Sequence, residues 1–355
     1  MFNFDKGLWI NWELNNICNL MCPQCVRNEI VDGVLVKKDN LDNHDNSLDT
    51  FKKVYQNIGH KVNLIRFQGQ TSENVASRDF LPICEYLIKN NTVVGVSTHG
   101  SLRSPKYWYE LGKVFSKCRN NKQKSQIIFS IDGLGPELEL YRIGANYDKI
   151  IENAQAFMEG GGEAWWRMII FKHNQHQILD AERTAEKLGF SEFVATKTNR
   201  TNNLDPFKYK EKNYHLKMQD IDIEYNTKVE KGWHSDFSHE SISCKAIDEN
   251  QFYVNHKNKV WACYYIPDKL ELAEEQDWYR KYYEDDSNNL EEKTLDEILE
   301  DNFYDALEMS WEVKNSCLSL CKKNCSVNSG ITRTFEFSSG RILQNSKGGN
   351  LQHHE

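Results

Sequence analysis

A chain of 355 residues that is 39% hydrophobic and 12% aromatic can bury a sizeable core, which excludes a disordered chain and suits one large domain, alone or with a smaller appendage. The formal net charge of -8 argues against a nucleic-acid surface that works by bulk positive charge. The first residues, MFNFDKGLWINWEL, hold no basic segment leading into a long apolar run, so neither a signal peptide nor a membrane span is expected and the expected compartment is the reducing cytoplasm.

Strand-like and helix-like patterns alternate along the first 200 residues. LWINWEL is a short β-rich run ending just before the first cysteine, and SLDTFKKVYQNIG carries Leu48, Phe51, Val54, Tyr55 and Ile58 at helical spacing with Gly59 as a stop. VNLIRFQG is a strand running into Gly69, followed by the helix SRDFLPICEYLIKN, where Pro82 is tolerated in a first turn. The strand NTVVGVSTHG, the helix SPKYWYELGKVFSKC and the strand SQIIFSIDGLG come next. NYDKIIENAQAFMEGG is a helix ended by glycines, EAWWRMIIFKHN a strand, HQILDAERTAEKLGF a helix and FVATKT a last strand. Six strands separated by helices and short connections predict an α/β fold with a parallel sheet and crossover helices. Ligands of such sheets collect at the C-terminal edge of the strands, and the polar and glycine-bearing features of this chain fall at that edge.

Ten cysteines in a reducing compartment read as metal ligands or small core residues rather than as a disulfide framework. Cys84 and Cys118 are expected in the core. Cys18, Cys22 and Cys25, spaced C-x3-C-x2-C, lie on the loop after the first strand among Asn, Pro and Gln, which is no apolar face. Structural zinc wants four ligands, commonly as two C-x2-C pairs, and no second pair is near. A [4Fe–4S] cluster held at three points keeps one iron open for a substrate. Five more cysteines lie toward the C-terminus. Cys244 and Cys263 stand at the two ends of an expected hairpin (QFYVN, a turn at HKNK, VWACYY), and Cys317, Cys321 and Cys325 follow in SCLSLCKKNC. Taken alone, these five suit either an iron–sulfur cluster or a four-cysteine zinc ribbon.

The cysteine triplet, RFQGQTSE, VSTHGS and FSIDGLGPELELYRIG together resemble the radical SAM superfamily over about residues 8–200, and the C-terminal cysteine order resembles its SPASM/Twitch extension. The resemblance implies a partial (β/α)6 TIM-like barrel with a small Cys-rich α+β, Twitch-like domain. It divides the chain into a barrel at 1–198, a connection at 199–243, an auxiliary-cluster domain at 244–330 and a tail at 331–355. It implies a [4Fe–4S] cluster on Cys18, Cys22 and Cys25 that binds S-adenosylmethionine (SAM) and cleaves it to methionine and a 5′-deoxyadenosyl radical. That radical would abstract a hydrogen from a peptide or a small-molecule alcohol or sugar.

Gly69 and Glu73 correspond to the glycine-rich turn and its acid beside the methionine amino group, and Thr98 to the strand end written TNG in the family. Ser130 and Asp132 either contact SAM or cap the turn after their strand; Arg142 pairs either with a carboxylate of SAM or substrate or with a helix. His173, Asn174 and Lys197 face the same mouth if the strand register is right. Two auxiliary clusters would need about eight thiolates. With five cysteines, one auxiliary [4Fe–4S] cluster is expected on four of Cys244, Cys263, Cys317, Cys321 and Cys325. An electron donor such as flavodoxin or ferredoxin is the implied partner. Two departures, Gln24 in place of an aromatic residue and GQTSEN in place of GGEP, keep a second reading open, a zinc- or cluster-binding relative without turnover.

Overall fold

The computed structural model describes residues 3–39, 41–118, 124–197, 204–220, 224–225, 242–268, 286–301, 303–312, 317–325 and 342–343. Strand β1 (Leu8–Trp12) is followed by the hairpin β2 (Asn28–Val31) and β3 (Val34–Lys37). The alternation then runs α1 (Leu48–Asn57), β4 (Val62–Gln68), α2 (Phe80–Lys89), β5 (Val93–Thr98), α3 (Pro105–Phe115), β6 (Gln126–Ser130), α4 (Tyr147–Glu159), β7 (Glu163–Ile170), α5 (Ile178–Leu188) and β8 (Glu192–Lys197). Short strands β9 (Phe207–Tyr209), β10 (Lys212–Tyr214) and β11 (Glu224–Tyr225) come next, then β12 (Gln251–Val254), β13 (Val260–Trp261) and β14 (Ile342–Leu343).

Local chemistry explains these bounds. Ser47 caps α1 by accepting the Thr50 N–H at 3.1 Å, and Asn146 caps α4 by accepting that of Lys149 at 2.9 Å. Pro82 occupies the first turn of α2, where its missing N–H would have had no helical partner. Gly189 ends α5 at φ +90°, a conformation that favours glycine. The central strands are buried almost throughout, as Gln126–Phe129 of β6 shows, because helices on one face and the barrel interior on the other both exclude water. Trp166 is fully buried and meets Phe190 edge-on at 5.4 Å, so it is packing between sheet and helix layer.

One eight-stranded sheet organises the molecule in the order β13-β12-β1-β4-β5-β6-β7-β8. Every neighbouring pair from β12 to β8 is parallel. The segments after β1, β4, β5, β6 and β7 therefore leave one common edge, which becomes the mouth of a partial barrel. The hairpin expected around Cys244 and Cys263 forms, with Tyr253 opposite Trp261, but it extends the barrel sheet: β12 lies parallel to β1, with Ile10 opposite Phe252. Its second strand is short, and Cys263 sits in the turn beyond it.

A four-stranded sheet in the order β10-β9-β3-β2 was not anticipated. It recruits residues 207–214 from the expected connection by pairing Val34 with Lys208. Residues 199–203, 221–223 and 226–241 of that connection lie outside the described residues, as does the tail 331–355 apart from β14, which pairs with β11. Among the described residues, no helix is long and apolar enough to cross a membrane.

Candidate active site

The mouth is built from the end of β1 outward. Glu13 is buried one residue beyond β1, and its carboxylate accepts the Thr71 N–H and the Thr71 hydroxyl, each at 2.8 Å, and the Gln70 N–H. A further hydrogen bond comes from the Tyr253 side chain of β12. Burial raises the Glu13 pKa and these donors oppose the rise. Glu13 thus clamps the turn after β4 onto the loop after β1. Glu13→Ala would strand several part-buried donors at up to about 1–3 kcal/mol each, so a net loss near 3 kcal/mol is expected in denaturant unfolding. Glu13→Gln, which keeps one acceptor oxygen, is expected to lose less than half of that.

The cysteine loop is held by its own backbone and by neighbours. Cys25 N–H donates to the Cys22 carbonyl at 3.1 Å, and the Asn28 side chain donates to the same carbonyl at 2.9 Å. Met21 N–H donates to the Ile143 carbonyl at 3.0 Å, which ties the loop to the segment carrying Arg142. The buried Arg27 guanidinium bridges the Asn16 and Thr71 carbonyls, joining the far side of the loop to the turn after β4. The three thiols influence one another. Burial, then the Glu73 carboxylate and Cys25, push Cys18 up to about 11. Burial pushes Cys22 up to about 12 against the pull of Arg142. Ligation would therefore release protons from buried thiols, as thiolate metal sites do.

Glu73, expected as the acid of the turn after β4, is 4% exposed, and its backbone N–H donates to the Ile17 carbonyl at 2.8 Å, next to Cys18. One carboxylate oxygen, Oε2, faces His99: it accepts the His99 backbone N–H at 3.0 Å and lies 3.1 Å from the ring Nε2. The other, Oε1, is buried and has no partner among the described residues. A buried carboxylate oxygen without a donor is costly, and it fits a cationic ligand group.

Thr98 is turned inward to accept the Gly100 N–H at 2.9 Å, so its hydroxyl shapes the turn after β5. Ser130 is half-buried at the end of β6. Asp132 is fully buried and both its oxygens are engaged, Oδ1 by the Ile169 N–H and Oδ2 by Arg142 Nε, each at 2.6 Å. It holds Arg142 rather than presenting an oxygen to a ligand. Burial opposes the Arg142 charge, but the Asp132 carboxylate outweighs it and keeps the guanidinium charged beside Cys22. Of the alternatives for Arg142, the salt bridge is formed, to the strand-end carboxylate and not to a helix, and it leaves the terminal nitrogens outside that bond. Asn174 locks this corner by donating to the Asp132 and Ile169 carbonyls, each at 2.8 Å. His173 stacks on Phe171 at 5.5 Å, and burial lowers it to about 4.

The C-terminal cysteines group separately. Burial raises Cys244, whose carbonyl accepts the Ile247 and Asp248 N–H groups. Cys321 lies within electrostatic reach of Cys263, Cys317 and Cys325, and its thiol hydrogen-bonds Cys317, which lowers Cys317 and raises Cys321. Ser243 N–H donates to the Cys325 carbonyl at 2.9 Å. Among the described residues, no three His, Cys, Asp or Glu side chains converge closely enough to share a single metal ion.

By sequence, no family model and no curated protein matches the chain. Among solved structures it is similar to SuiB of Streptococcus suis bound to S-adenosylmethionine, at 13% identity and a TM-score of 0.51, over 79% of this chain and 66% of that one. It is also similar to anSMEcpe with bound AdoMet and a Cp18Cys peptide, at 15% identity and a TM-score of 0.51, over 90% of this chain and 89% of that one. The fold is that of the radical SAM enzymes. This chain spans 66% of the length of SuiB, just under two thirds.

Within that fold, Gly69, Glu73, Thr98, Ser130, Asp132 and Arg142 stand with Cys18, Cys22 and Cys25 at one sheet edge. Sequence reasoning missed Glu13, Arg27 and His99. Glu13 had a signal, an acid closing an apolar strand, since a charge in that position must find donors. His99 had none, because its partner Glu73 is 26 residues away.

Proposed function

We propose that this chain is an enzyme that reductively cleaves S-adenosylmethionine and uses the resulting 5′-deoxyadenosyl radical to abstract a hydrogen from a peptide substrate. The observation that carries the reading is the pairing of the Cys18, Cys22 and Cys25 loop with the unpartnered, buried Oε1 of Glu73 beside it. Three thiols of one loop suit three irons of a [4Fe–4S] cluster, and the fourth iron supplies the site where SAM is held and reduced. The chain's own groups do the rest. Glu73 Oε1 accepts the methionine amino group, the terminal nitrogens of Arg142 face a carboxylate, and Glu13 fixes the turn between them.

Peptide is favoured over alcohol or sugar because SuiB is also seen bound to the precursor peptide SuiA and anSMEcpe with the Cp18Cys peptide. A second [4Fe–4S] cluster is proposed on Cys263, Cys317, Cys321 and Cys325, the four that sense one another, with Cys244 left as the spare thiol. Flavodoxin or ferredoxin is proposed as the electron donor.

Anaerobic reconstitution tests the ligand sets. About eight irons per chain support both clusters, whereas about four would remove the auxiliary one. A zinc-loaded protein without iron would favour the binding-protein reading. Gly69→Ala probes the turn: a Cβ there would lie 1.9 Å from the Ser72 carbonyl oxygen, so the backbone must move. SAM affinity is expected to fall about tenfold, equal to roughly 1.4 kcal/mol, in equilibrium dialysis of the reconstituted protein.

A further inference from the structure

Between β5 and the SAM-facing acid lies a buried chain of polar contacts that the proposed function leaves unused. Ser101, 5% exposed, donates its backbone N–H to His99 Nδ1 at 3.1 Å, and its hydroxyl lies 2.8 Å from the same nitrogen. A backbone N–H can only donate, so Nδ1 must be the acceptor nitrogen of the ring. The proton of the neutral imidazole therefore sits on Nε2, the nitrogen 3.1 Å from Glu73 Oε2. That approach is close but off-line, as such contacts often are before a ligand arrives. The turn THGS makes the arrangement possible. Gly100 adopts φ +72°, and a Cβ there would come within 2.8 Å of the Phe129 ring, so a larger residue could not fold Ser101 back beneath the imidazole.

His99 thereby sets two N–H groups against one oxygen of Glu73: its backbone N–H, hydrogen-bonded at 3.0 Å, and its ring Nε2–H, which lies 3.1 Å away without completing a hydrogen bond. Both face Oε2, and Oε1 is left buried without a partner among the described residues. Burial keeps the ring neutral despite the carboxylate beside it, and the nearby Arg142 acts in the same sense. A neutral donor orients Glu73 without cancelling its charge.

We propose that His99, held as the Nε2–H tautomer by Ser101, is a positioning residue that aims the free oxygen of Glu73 at the amino group of bound S-adenosylmethionine. This rests on the reading of the site as a SAM site. The consequence is selective: removing the His99 ring should harm recognition of the amino group and spare recognition of the rest of the ligand.

The test compares two ligands on the anaerobically reconstituted protein, S-adenosylmethionine and its analogue in which hydrogen replaces the amino group. Binding is measured by equilibrium dialysis, without turnover. The unaltered protein is expected to prefer SAM. His99→Leu is expected to weaken SAM about tenfold, the scale of one charge-assisted hydrogen bond, and to leave the analogue's affinity unchanged, so that the preference collapses. His99→Gln, whose amide can donate to Glu73, is expected to restore most of the preference.

Equal weakening of both ligands by His99→Leu, or no effect on either, overturns the proposal, as does a failure of His99→Gln to restore the preference. An unaltered protein that binds SAM and the analogue equally also overturns it, because the amino group then lies elsewhere. An unaltered protein that carries its iron and binds neither ligand overturns instead the SAM reading itself.

Discussion

Cys22→Ser is expected to abolish 5′-deoxyadenosine formation and to lower bound iron by about four per chain while the fold survives. Cys22 is 9% exposed, and its thiol is pushed up to about 12 by burial, so in the metal-free protein it packs as a small neutral side chain. Serine is close to it in size and neutral, and thermal unfolding of the metal-free protein should move little. A hydroxyl is a far poorer ligand for iron than a thiolate, and two thiolates cannot retain the cluster. Cys321→Ser supplies the reciprocal case. It should remove about four irons per chain from the auxiliary site and leave reductive SAM cleavage measurable. Loss of all iron from either variant would contradict two independent sites.

The Asp132–Arg142 pair carries the second large effect. Both partners sit inside the barrel mouth, with 0% and 16% side-chain exposure, and their N···O separation is 2.6 Å. Arg142→Met leaves the buried Asp132 carboxylate unpaired, and a loss of about 3–5 kcal/mol is expected. Asp132→Asn should be similarly damaging, because it leaves the guanidinium uncompensated while keeping an acceptor for the Ile169 N–H. The double variant Asp132→Asn/Arg142→Met removes both charges and should recover a large part of the stability in a denaturant double-mutant cycle. Its SAM cleavage should stay low, since the cation proposed to face the ligand's carboxylate is gone. Recovery of activity along with stability would reduce the pair to a purely structural role.

The barrel was legible because β4, β5, β6 and β7 are largely apolar runs each followed by an amphipathic helix, with side-chain caps at α1 and α4. The β2–β3 hairpin carried a readable signal, VDGV, with Asp32 at φ 50° and Gly33 at φ 75° as a tight turn requires. Its strands are short and mostly exposed, so the apolar pattern that reveals the barrel strands is missing there. QFYV was legible as a strand, but its pairing with β1 joins residues more than 240 positions apart, and no local pattern encodes that. At the site, the cysteine spacing announced itself, whereas the Glu73–His99 contact and the Glu13 clamp exist only once β1, β4 and β5 stand side by side.

The account stands most directly on reductive cleavage of SAM by the chain itself. The measurement is 5′-deoxyadenosine and methionine released after the anaerobically reconstituted, dithionite-reduced protein is mixed with SAM. The account predicts both products in equal amounts, well above a protein-free control and absent from Cys22→Ser. Protein loaded with about eight irons per chain that yields no 5′-deoxyadenosine would contradict it.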